Sequence, residues 1–221
     1  VFAEVTLFTN AVTLTRALAD ELRTAGLTYL CWSRHAAGDD ANRELMGAAA
    51  PDADVVLAAV GDLPVRATCV MSTAGVADAD AVWDYIDAFR DRGVRQFTFK
   101  HTYVARDRSV FTSPPANRWA QDHEIQADPF AERGEVIGSL PWGPTIRRIG
   151  EVQACHYYEP TPTWELTHRL ARSSNLLSDG SVYASLEDRT SLLYRLGSRP
   201  TRPWSPSSTP VSSPVRSPLL T

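Results

Sequence analysis

Residues 27–32 read LTYLCW, an almost unbroken apolar run that decides the fold class of this 221-residue chain. Such a run is typical of a strand buried on both faces, as the strands of parallel sheets are. The stretch before it predicts a helix, because leucines recur every four residues from Leu14 to Leu22. Thr13 can cap that helix, and Gly26 can end it.

The alternation of strand and helix continues along the first hundred residues. Three further runs predict strands, at residues 4–8 (EVTLF), 65–71 (VRATCVM) and 94–100 (VRQFTFK). Helices are predicted at residues 42–49, 54–60 and from Asp78 or Asp80 to Gly93. Crossovers of this length favour parallel strands joined by right-handed units. The predicted fold class is therefore α/β, a barrel or an open doubly wound sheet, with the chemistry at the carboxyl ends of the strands.

The middle of the chain is less regular. Residues 105–150 contain five prolines and no periodicity, which predicts a long irregular insertion of the kind that covers or binds a substrate. Residues 152–158 predict a further strand, and residues 164–170 predict a helical turn or two. We expect residues 1–150 to form the main region, with the insertion inside it.

The last part of the chain holds a hairpin and a tail. Residues 175–186 (NLLSDGSVYASL) predict a β-hairpin that turns at Ser178-Asp179-Gly180, within a region that we place at residues 151–196. Residues 197–221 are rich in Ser and Pro and carry no periodic apolar pattern. Such a composition cannot bury enough apolar surface to offset the entropy of ordering, so we expect a disordered tail.

Composition narrows the function classes. The net charge of −4 and the pI near 5.7 give no overall basic field, so nucleic-acid binding is not expected. The sequence contains neither a long apolar span nor a signal peptide, which predicts a cytoplasmic protein without a membrane partner. Three widely spaced cysteines in apolar surroundings predict buried free thiols in a reducing compartment. The chain enters a strand-like run at once, from which we expect further sequence upstream.

Four motifs, taken in order, carry a family resemblance: LFTN (7–10), TYLCWSRH (28–35), VRATCVM (65–71) and RQFTFKHTYV (95–104). Together with the terminal NLLSDGSVYASLED (175–188), they resemble strands three to six and the end of the radical S-adenosylmethionine (radical SAM) partial barrel. The resemblance covers roughly residues 1–196 and is similar to the branch that begins molybdenum-cofactor synthesis. It implies a TIM-like (β/α)6 partial barrel that is incomplete at its amino terminus and ends in a hairpin.

The resemblance also implies cofactors. Radical SAM enzymes bind S-adenosylmethionine and a 4Fe–4S cluster held by a C-x3-C-x2-C loop, receive one electron from a donor, and abstract hydrogen from a small-molecule or peptide substrate. Iron–sulfur clusters need thiolate ligands. This chain has no cysteines at that spacing and no Gly-Gly-Glu-Pro motif. Ala184 and Ser185 stand where the molybdenum-cofactor branch carries cysteines for a second cluster. We therefore expect a fragment that is inactive by itself.

Individual residues can be matched to the family's sites. Ser33 matches an S-adenosylmethionine contact, and His101 stands where the family often has Met for the same purpose. Asn10 is either a cofactor ligand or a turn former. Thr9 and Arg66 match substrate-side positions at the carboxyl ends of their strands. We expect these two side chains to share one cavity with those of Ser33 and His101. Arg66 also suits an anionic substrate by its own chemistry, because a guanidinium makes bidentate charge-assisted hydrogen bonds.

Two other function classes stay open. Lys100, the only lysine, is predicted at a strand end, where it could contact substrate or form a Schiff base in an aldolase-like lyase. The chain could also be a non-catalytic barrel that acts as a binding or partner subunit. A metal site of the chain's own is not expected, because the five histidines form no H-x-H or H-x-x-x-H pair.

Overall fold

The computed structural model describes residues 2–102, 109–110, 114–125, 127–131, 133–160, 162–168, 173–186 and 188–196. The chain divides into two compact units. The first comprises the described residues of Val1–Thr102 and His123–Tyr158, and the second those of Tyr103–Asp122 and Glu159–Thr221. The predicted tail, residues 197–221, lies outside the described residues.

A mixed seven-stranded sheet forms the centre of the first unit. Its strands are β1 (Thr6–Thr9), β2 (Tyr29–Ser33), β3 (Val65–Val70), β4 (Gln96–Lys100), β5 (Glu135–Ser139), β6 (Thr145–Ile149) and β7 (Val152–Tyr157). Their order across the sheet is β1-β2-β3-β4-β7-β6-β5. The strands from β1 to β4 and β7 are parallel neighbours, whereas β6 and β5 add to β7 as antiparallel strands.

Four helices connect the parallel strands β1 to β4. They are α1 (Arg16–Thr24), α2 (Asp39–Met46), α3 (Ala53–Val60) and α4 (Ala79–Arg90). α1 begins after Thr15, whose hydroxyl accepts the Leu18 N–H at 3.2 Å, so the predicted cap at Thr13 is wrong by two residues. α4 begins after Asp78, whose carboxylate accepts the Ala81 N–H at 2.9 Å, as the sequence predicts. Each cap satisfies a backbone donor that has no partner inside its helix.

One face of the sheet is apolar and covered by helices. Alternate residues of the strands supply this helix-covered face, namely Leu30, Trp32, Ala67, Cys69, Phe97, Phe99, Val152 and Ala154. They pack with Val56 and Val60 of α3 and with the buried side of α4, where Tyr85 and Phe89 are fully enclosed. Leu22 of α1 packs against the same cluster. α1, α3 and α4 therefore share one core on one side of the parallel strands.

Arg34 anchors the segment that follows β2. Its guanidinium is completely buried and lies 5.3 Å from the ring centroids of both Trp32 and Phe89. Its Nε donates to the Ala36 carbonyl at 3.0 Å, and its Nη2 donates to Asp39 at 2.7 Å. Arg34 thus holds the turn after β2 against the core, since a buried charge is tolerated only where partners replace its hydration.

The same ion pair reaches the next helix. One carboxylate oxygen of Asp39 receives both the Arg34 guanidinium and the backbone N–H of Ala53, which is the first residue of α3. From the other side, the Tyr85 hydroxyl donates to the Arg34 carbonyl at 3.0 Å. β2, the turn after it, α3 and α4 are therefore connected through Arg34 and its partners.

The second unit contains short elements. They are α5 (Pro114–Asp122), α6 (Pro162–His168), a 3-10 turn (Arg189–Ser191) and a three-stranded antiparallel sheet of β8 (Asn175–Leu176), β9 (Ser181–Tyr183) and β10 (Leu192–Arg195). The predicted hairpin is confirmed as β8 and β9. Its turn is closed by Asp179, which accepts the Ser181 N–H and hydroxyl, and by Gly180 at a φ of 80°.

The predicted α/β class and the strands at residues 4–8, 27–32, 65–71, 94–100 and 152–158 are confirmed within one or two residues at each end. The prediction of an irregular segment over residues 105–150 is wrong at residues 114–122, which form α5, and at residues 135–139 and 145–149, which form β5 and β6. None of the described helices is long and apolar enough to cross a membrane.

We expect Arg34→Ala to lower the free energy of unfolding by about 3 kcal/mol or more, because the substitution leaves a void and strips Asp39 of its buried partner. The matched control is Arg16→Ala, since Arg16 pairs with Asp20 on the exposed side of α1. That change should cost less than about 1 kcal/mol. Urea unfolding followed by circular dichroism measures both, and equal losses would contradict the anchoring role of Arg34.

Candidate ligand-binding site on the polar face of the sheet

The face of the sheet opposite the helix-covered face is lined by polar side chains. Successive residues of a strand point to opposite sides, so the residues between the core positions define this polar face. Parallel pairing places them in three rows across β2, β3, β4 and β7. The lower row is Cys31, Arg66, Gln96 and Gln153; the middle row is Ser33, Thr68, Thr98 and Cys155; the upper row is Val70, Lys100 and Tyr157.

The rows differ in chemistry. The lower row has a guanidinium between a thiol and two amides, the middle row has three hydroxyls and a thiol, and the upper row has an ammonium beside a phenol. None of these strand residues is acidic. The polar face therefore combines two cations with many hydrogen-bonding groups and no carboxylate of its own strands, which is a surface suited to an anion.

Arg66 is the principal charge of the lower row. It is half-buried, and its guanidinium carbon lies 5.4 Å from the centroid of the Tyr29 ring. Its Nε and Nη2 both donate to the side-chain oxygen of Gln96 at 3.3 Å. No ion pair joins it to a carboxylate in the part of the chain that the structure describes. A guanidinium has five N–H donors, so Arg66 keeps donors for a ligand.

The charge of Arg66 reaches two thiols of the same face. Burial raises the pKa of Cys31, and Arg66 opposes that rise. Burial likewise raises the pKa of Cys155 to about 11, again against the effect of Arg66. Both side chains are therefore neutral thiols near pH 7 and act as small polar wall groups rather than as nucleophiles.

The middle row contains a buried hydroxyl without a partner. Thr68 is 4% exposed, and its Oγ1 has no hydrogen-bond partner among the described residues. The side-chain oxygen of Gln153, one row lower, is also buried and also has no hydrogen-bond partner among the described residues. Leaving such groups unsatisfied costs roughly 1–3 kcal/mol each. Two of them on one face mark a place where a ligand or a bound water can complete the hydrogen bonding.

The upper row is completed by His35, which follows β2. Its Nδ1 accepts the Val70 N–H at 3.1 Å, which leaves the ring proton on Nε2. Burial lowers the pKa of His35, and the nearby charge of Lys100 lowers it further against a backbone hydrogen bond. Lys100 itself lies 4.8 Å from the centroid of the Tyr157 ring. A neutral imidazole donor, an ammonium and a phenol thus meet at the carboxyl ends of β3, β4 and β7.

The structure brings together three of the six residues that the sequence singles out. Ser33, Arg66 and Lys100 lie on the polar face, in the middle, lower and upper rows. Arg66 is the second residue of β3, so the prediction that it marks a carboxyl end is wrong. Its backbone lies about 8 Å from that of Ser33, one strand across and two residues along.

The other three predicted residues lie elsewhere. Thr9 pairs in register with Trp32, which puts it on the helix-covered face, and its hydroxyl accepts the Ala11 N–H at 3.0 Å. Asn10 is exposed and its side chain accepts the Val12 N–H at 3.3 Å, as a turn former does. His101 comes after Lys100 and so falls on the side of Phe99.

His101 belongs to a cluster that the sequence does not reveal. Its ring centroid is 4.5 Å from that of His156 and 5.5 Å from that of Tyr158. His156 pairs in register with Phe99 and lies 3.6 Å from Asp128, measured from Nδ1 to a carboxylate oxygen. The prediction that His101 shares a cavity with Ser33 and Arg66 is therefore wrong, because strand alternation separates them.

The cysteines do not fit a 4Fe–4S cluster. Cys31 and Cys155 lie on the polar face, whereas Cys69 is buried in the core on the helix-covered face, and burial raises the pKa of all three. Cluster ligands must be thiolates that converge on one centre. The described residues also contain no group of three or more His, Cys, Asp and Glu side chains that could hold a metal ion.

Sequence reasoning missed Thr68, Gln96, Thr98 and Gln153. Each is a polar residue inside an apolar strand, and in the sequence such residues read as the solvent side of an ordinary sheet. Only the pairing of β7 beside β4 puts Gln153 next to Gln96 and Arg66. A depression of about 270 Å³ lies elsewhere, at the amino ends of β3 and β4 beside Pro64 and Val94. It touches none of the three rows.

The chain matches no protein-family model and no curated protein. The case for a function therefore rests on the polar face and on the motif resemblance.

The buried His156 gives a pH dependence that can be measured. Burial lowers its pKa to about 4 from an ordinary 6.5, and the neighbouring His101 acts in the same direction. The unfolded chain then binds more protons than the folded chain between these values, so the contribution of His156 to stability is present above pH 6.5 and is lost as the pH falls towards 4.

As the pH falls through this window, we expect the free energy of unfolding to decrease less in His156→Gln than in the parent. The difference should be on the order of 2–3 kcal/mol. The control is the same comparison above pH 7, where the difference between the two proteins should no longer change with pH. Denaturant unfolding across the pH range supplies the measurement. Parallel curves for His156→Gln and the parent would exclude this role for His156.

Proposed function

We propose that this chain is the carboxyl-terminal part of a radical SAM enzyme barrel, and that the polar face is the inner wall on which substrate and S-adenosylmethionine bind. The main support for this proposal is that the parallel strands follow sequence order, with helices on one face of the sheet and polar rows on the other. The complete enzyme would cleave S-adenosylmethionine reductively and abstract hydrogen from its substrate, with an electron donor as partner.

The winding of the sheet supports a partial barrel. In doubly wound sheets the strand order reverses at a switch point and helices cover both faces. Here β1, β2, β3, β4 and β7 are adjacent in sequence order, and α1, α3 and α4 share a core on one face. A TIM-like barrel is wound in this way, and every second residue of each of its strands faces the interior. The polar face is likewise formed by every second residue of β2, β3, β4 and β7.

The residues of this chain would bind and orient. In this proposal the Ser33 hydroxyl would hydrogen-bond S-adenosylmethionine from the middle row, and Arg66 and Lys100 would hold an anionic substrate below and above it. The low exposure of Cys31, Thr68 and Cys155 keeps water from this wall. S-adenosylmethionine would supply the radical, while the cluster would be held by a segment other than the one described, because the cysteines here do not fit it. Thr9 and His101 have no part in the proposal.

The proposal is tested on a longer chain. We expect the reading frame upstream, or a partner gene, to encode a C-x3-C-x2-C motif. The reconstituted complete enzyme should then form 5′-deoxyadenosine from S-adenosylmethionine under reducing conditions. Arg66→Ala should stop substrate turnover and leave uncoupled cleavage, because the guanidinium faces the substrate and not the cluster. Absence of 5′-deoxyadenosine from such a complete enzyme would contradict the assignment.

The present chain supplies the companion experiment. After anaerobic incubation with iron and sulfide, we expect it to retain neither in stoichiometric amount, since its three thiols are buried on two faces of the sheet. Iron and sulfide analysis after gel filtration measures this. A stoichiometric cluster that is lost in Cys31→Ala or Cys155→Ala would overturn the statement that the cluster ligands lie elsewhere.

A Schiff-base lyase is the second candidate, and the position of Lys100 favours it. The side chain lies in the upper row, at the carboxyl end of β4, beside His35 and Tyr157. A lysine amine there could attack a carbonyl substrate. We expect no borohydride-trapped adduct with pyruvate or glyceraldehyde 3-phosphate if the radical SAM assignment is right. An adduct found by mass spectrometry and lost in Lys100→Arg would favour the lyase.

A further inference from the structure

We infer that the lower and middle rows of the polar face form a binding site for a small acid, a carboxylate or phosphate, that also carries a hydroxyl or amino donor. The oxyanion lies against Arg66 and Thr68, and the donor faces the side-chain oxygen of Gln153. If the proposed function is right, this acid is the substrate. Binding of the acid itself does not depend on that proposal.

The charge balance of the two rows calls for an anion. Arg66 is half-buried and has no ion pair with a carboxylate among the described residues. Its contact with Gln96 uses only two of its five N–H donors on a neutral oxygen. A planar guanidinium in such surroundings is the group that binds a carboxylate or phosphate through two parallel hydrogen bonds.

The unsatisfied groups define the rest of the ligand. The Thr68 hydroxyl is buried, has no partner among the described residues, and lies on the same strand as Arg66, two residues or about 7 Å further along. It can donate to an oxyanion that Arg66 also holds. The buried oxygen of Gln153 can only accept a hydrogen bond, so a ligand that satisfies it must bring a donor.

The register shows that these groups belong to one site. Arg66 pairs with Gln96, and Gln96 pairs with Gln153, so the guanidinium and the two amides lie on three adjacent strands at one level. Thr68 lies between Ser33 and Thr98 in the row above. Adjacent strands are about 4.8 Å apart and two residues rise about 6.6 Å, so the backbones of Thr68 and Gln153, two strands and one row apart, are about 12 Å from each other. The two side chains, a hydrogen bond at each end and a molecule of three or four carbon atoms with one acidic group together span that distance.

Isothermal titration calorimetry on the whole chain tests the inference, at a fixed ionic strength and without iron or S-adenosylmethionine. The probes are glycerol 3-phosphate, D-glycerate and neutral glycerol. We expect saturable binding of one or both acids and none of glycerol. A preference between the two acids identifies phosphate or carboxylate as the bound group. No saturable binding of either acid, or equal binding of glycerol, would overturn the inference.

Three substitutions locate the site. Arg66→Gln should weaken binding by about tenfold or more, since a charge-assisted pair is lost. Arg92→Gln is the control, because it removes the same charge at an exposed position outside the three rows, where Arg92 bridges to Asp54 at 2.9 Å. It should bind as the parent does. Unchanged affinity in Arg66→Gln, or an equal loss in Arg92→Gln, would place the anion elsewhere.

Thr68→Val distinguishes a ligand-binding role of the Thr68 hydroxyl from a structural one, because the two roles predict different changes in stability and affinity. The substitution keeps the shape and removes a buried hydroxyl without a partner, so the free protein should be as stable as the parent or more so, while affinity for the acid falls several-fold. A destabilised protein with unchanged affinity would contradict the assignment of Thr68.

The outcomes separate this site from the radical chemistry. A complete enzyme that makes no 5′-deoxyadenosine would remove the radical SAM assignment and leave the acid site standing. If the chain binds no acid, the acid site is refuted, and the radical SAM assignment is then decided by the 5′-deoxyadenosine experiment alone.

Discussion

Side-chain alternation along β2, β3, β4 and β7 is the constraint on which the rest of the structure depends. These strands pair in parallel without a register shift, so every second residue meets the helices and the others form the polar face. A slip of one residue in β3 would turn Arg66 and Thr68 towards α4 and turn Cys69 to the polar face. Polar side chains would then lie against the buried Tyr85 and Phe89, which makes the slipped register unfavourable. The apolar core and the polar rows are thus two consequences of a single register.

The buried Arg34 connects that sheet to the upper row. Because its guanidinium is fixed by the Ala36 carbonyl and by Asp39, the turn after β2 has a defined path. His35, the next residue, then reaches the Val70 N–H and faces Lys100. Ser33, just before Arg34, ends β2 in the middle row. Packing beneath the sheet therefore determines which polar groups stand above it, and the core and the proposed site are stabilised together.

Local pattern predicts most of the parallel part of the fold. The apolar run of β2, the strand pattern of β4 and the spacing of the apolar residues in α4 need no information from distant residues, and these predictions are confirmed. β5 and β6 were not predictable in this way, because they carry Gly138, Arg147 and Arg148 and depend on pairing, β6 with β7 and β5 with β6. The candidate site has the same limit. Ser33, Arg66 and Lys100 can be selected by residue type, but a face and a row are properties of register, which is why Thr9 and His101 were assigned to the wrong side.

The most direct measurement of the central claim is a crystal structure of the chain soaked with selenate, in which anomalous scattering from selenium locates a tetrahedral oxyanion. We expect the selenium on the polar face, with its oxygens within hydrogen-bonding distance of the Arg66 guanidinium and the Thr68 hydroxyl, and with Cys69 on the opposite face. Selenate bound away from both residues, or Arg66 and Cys69 found on one face of the sheet, would contradict the account.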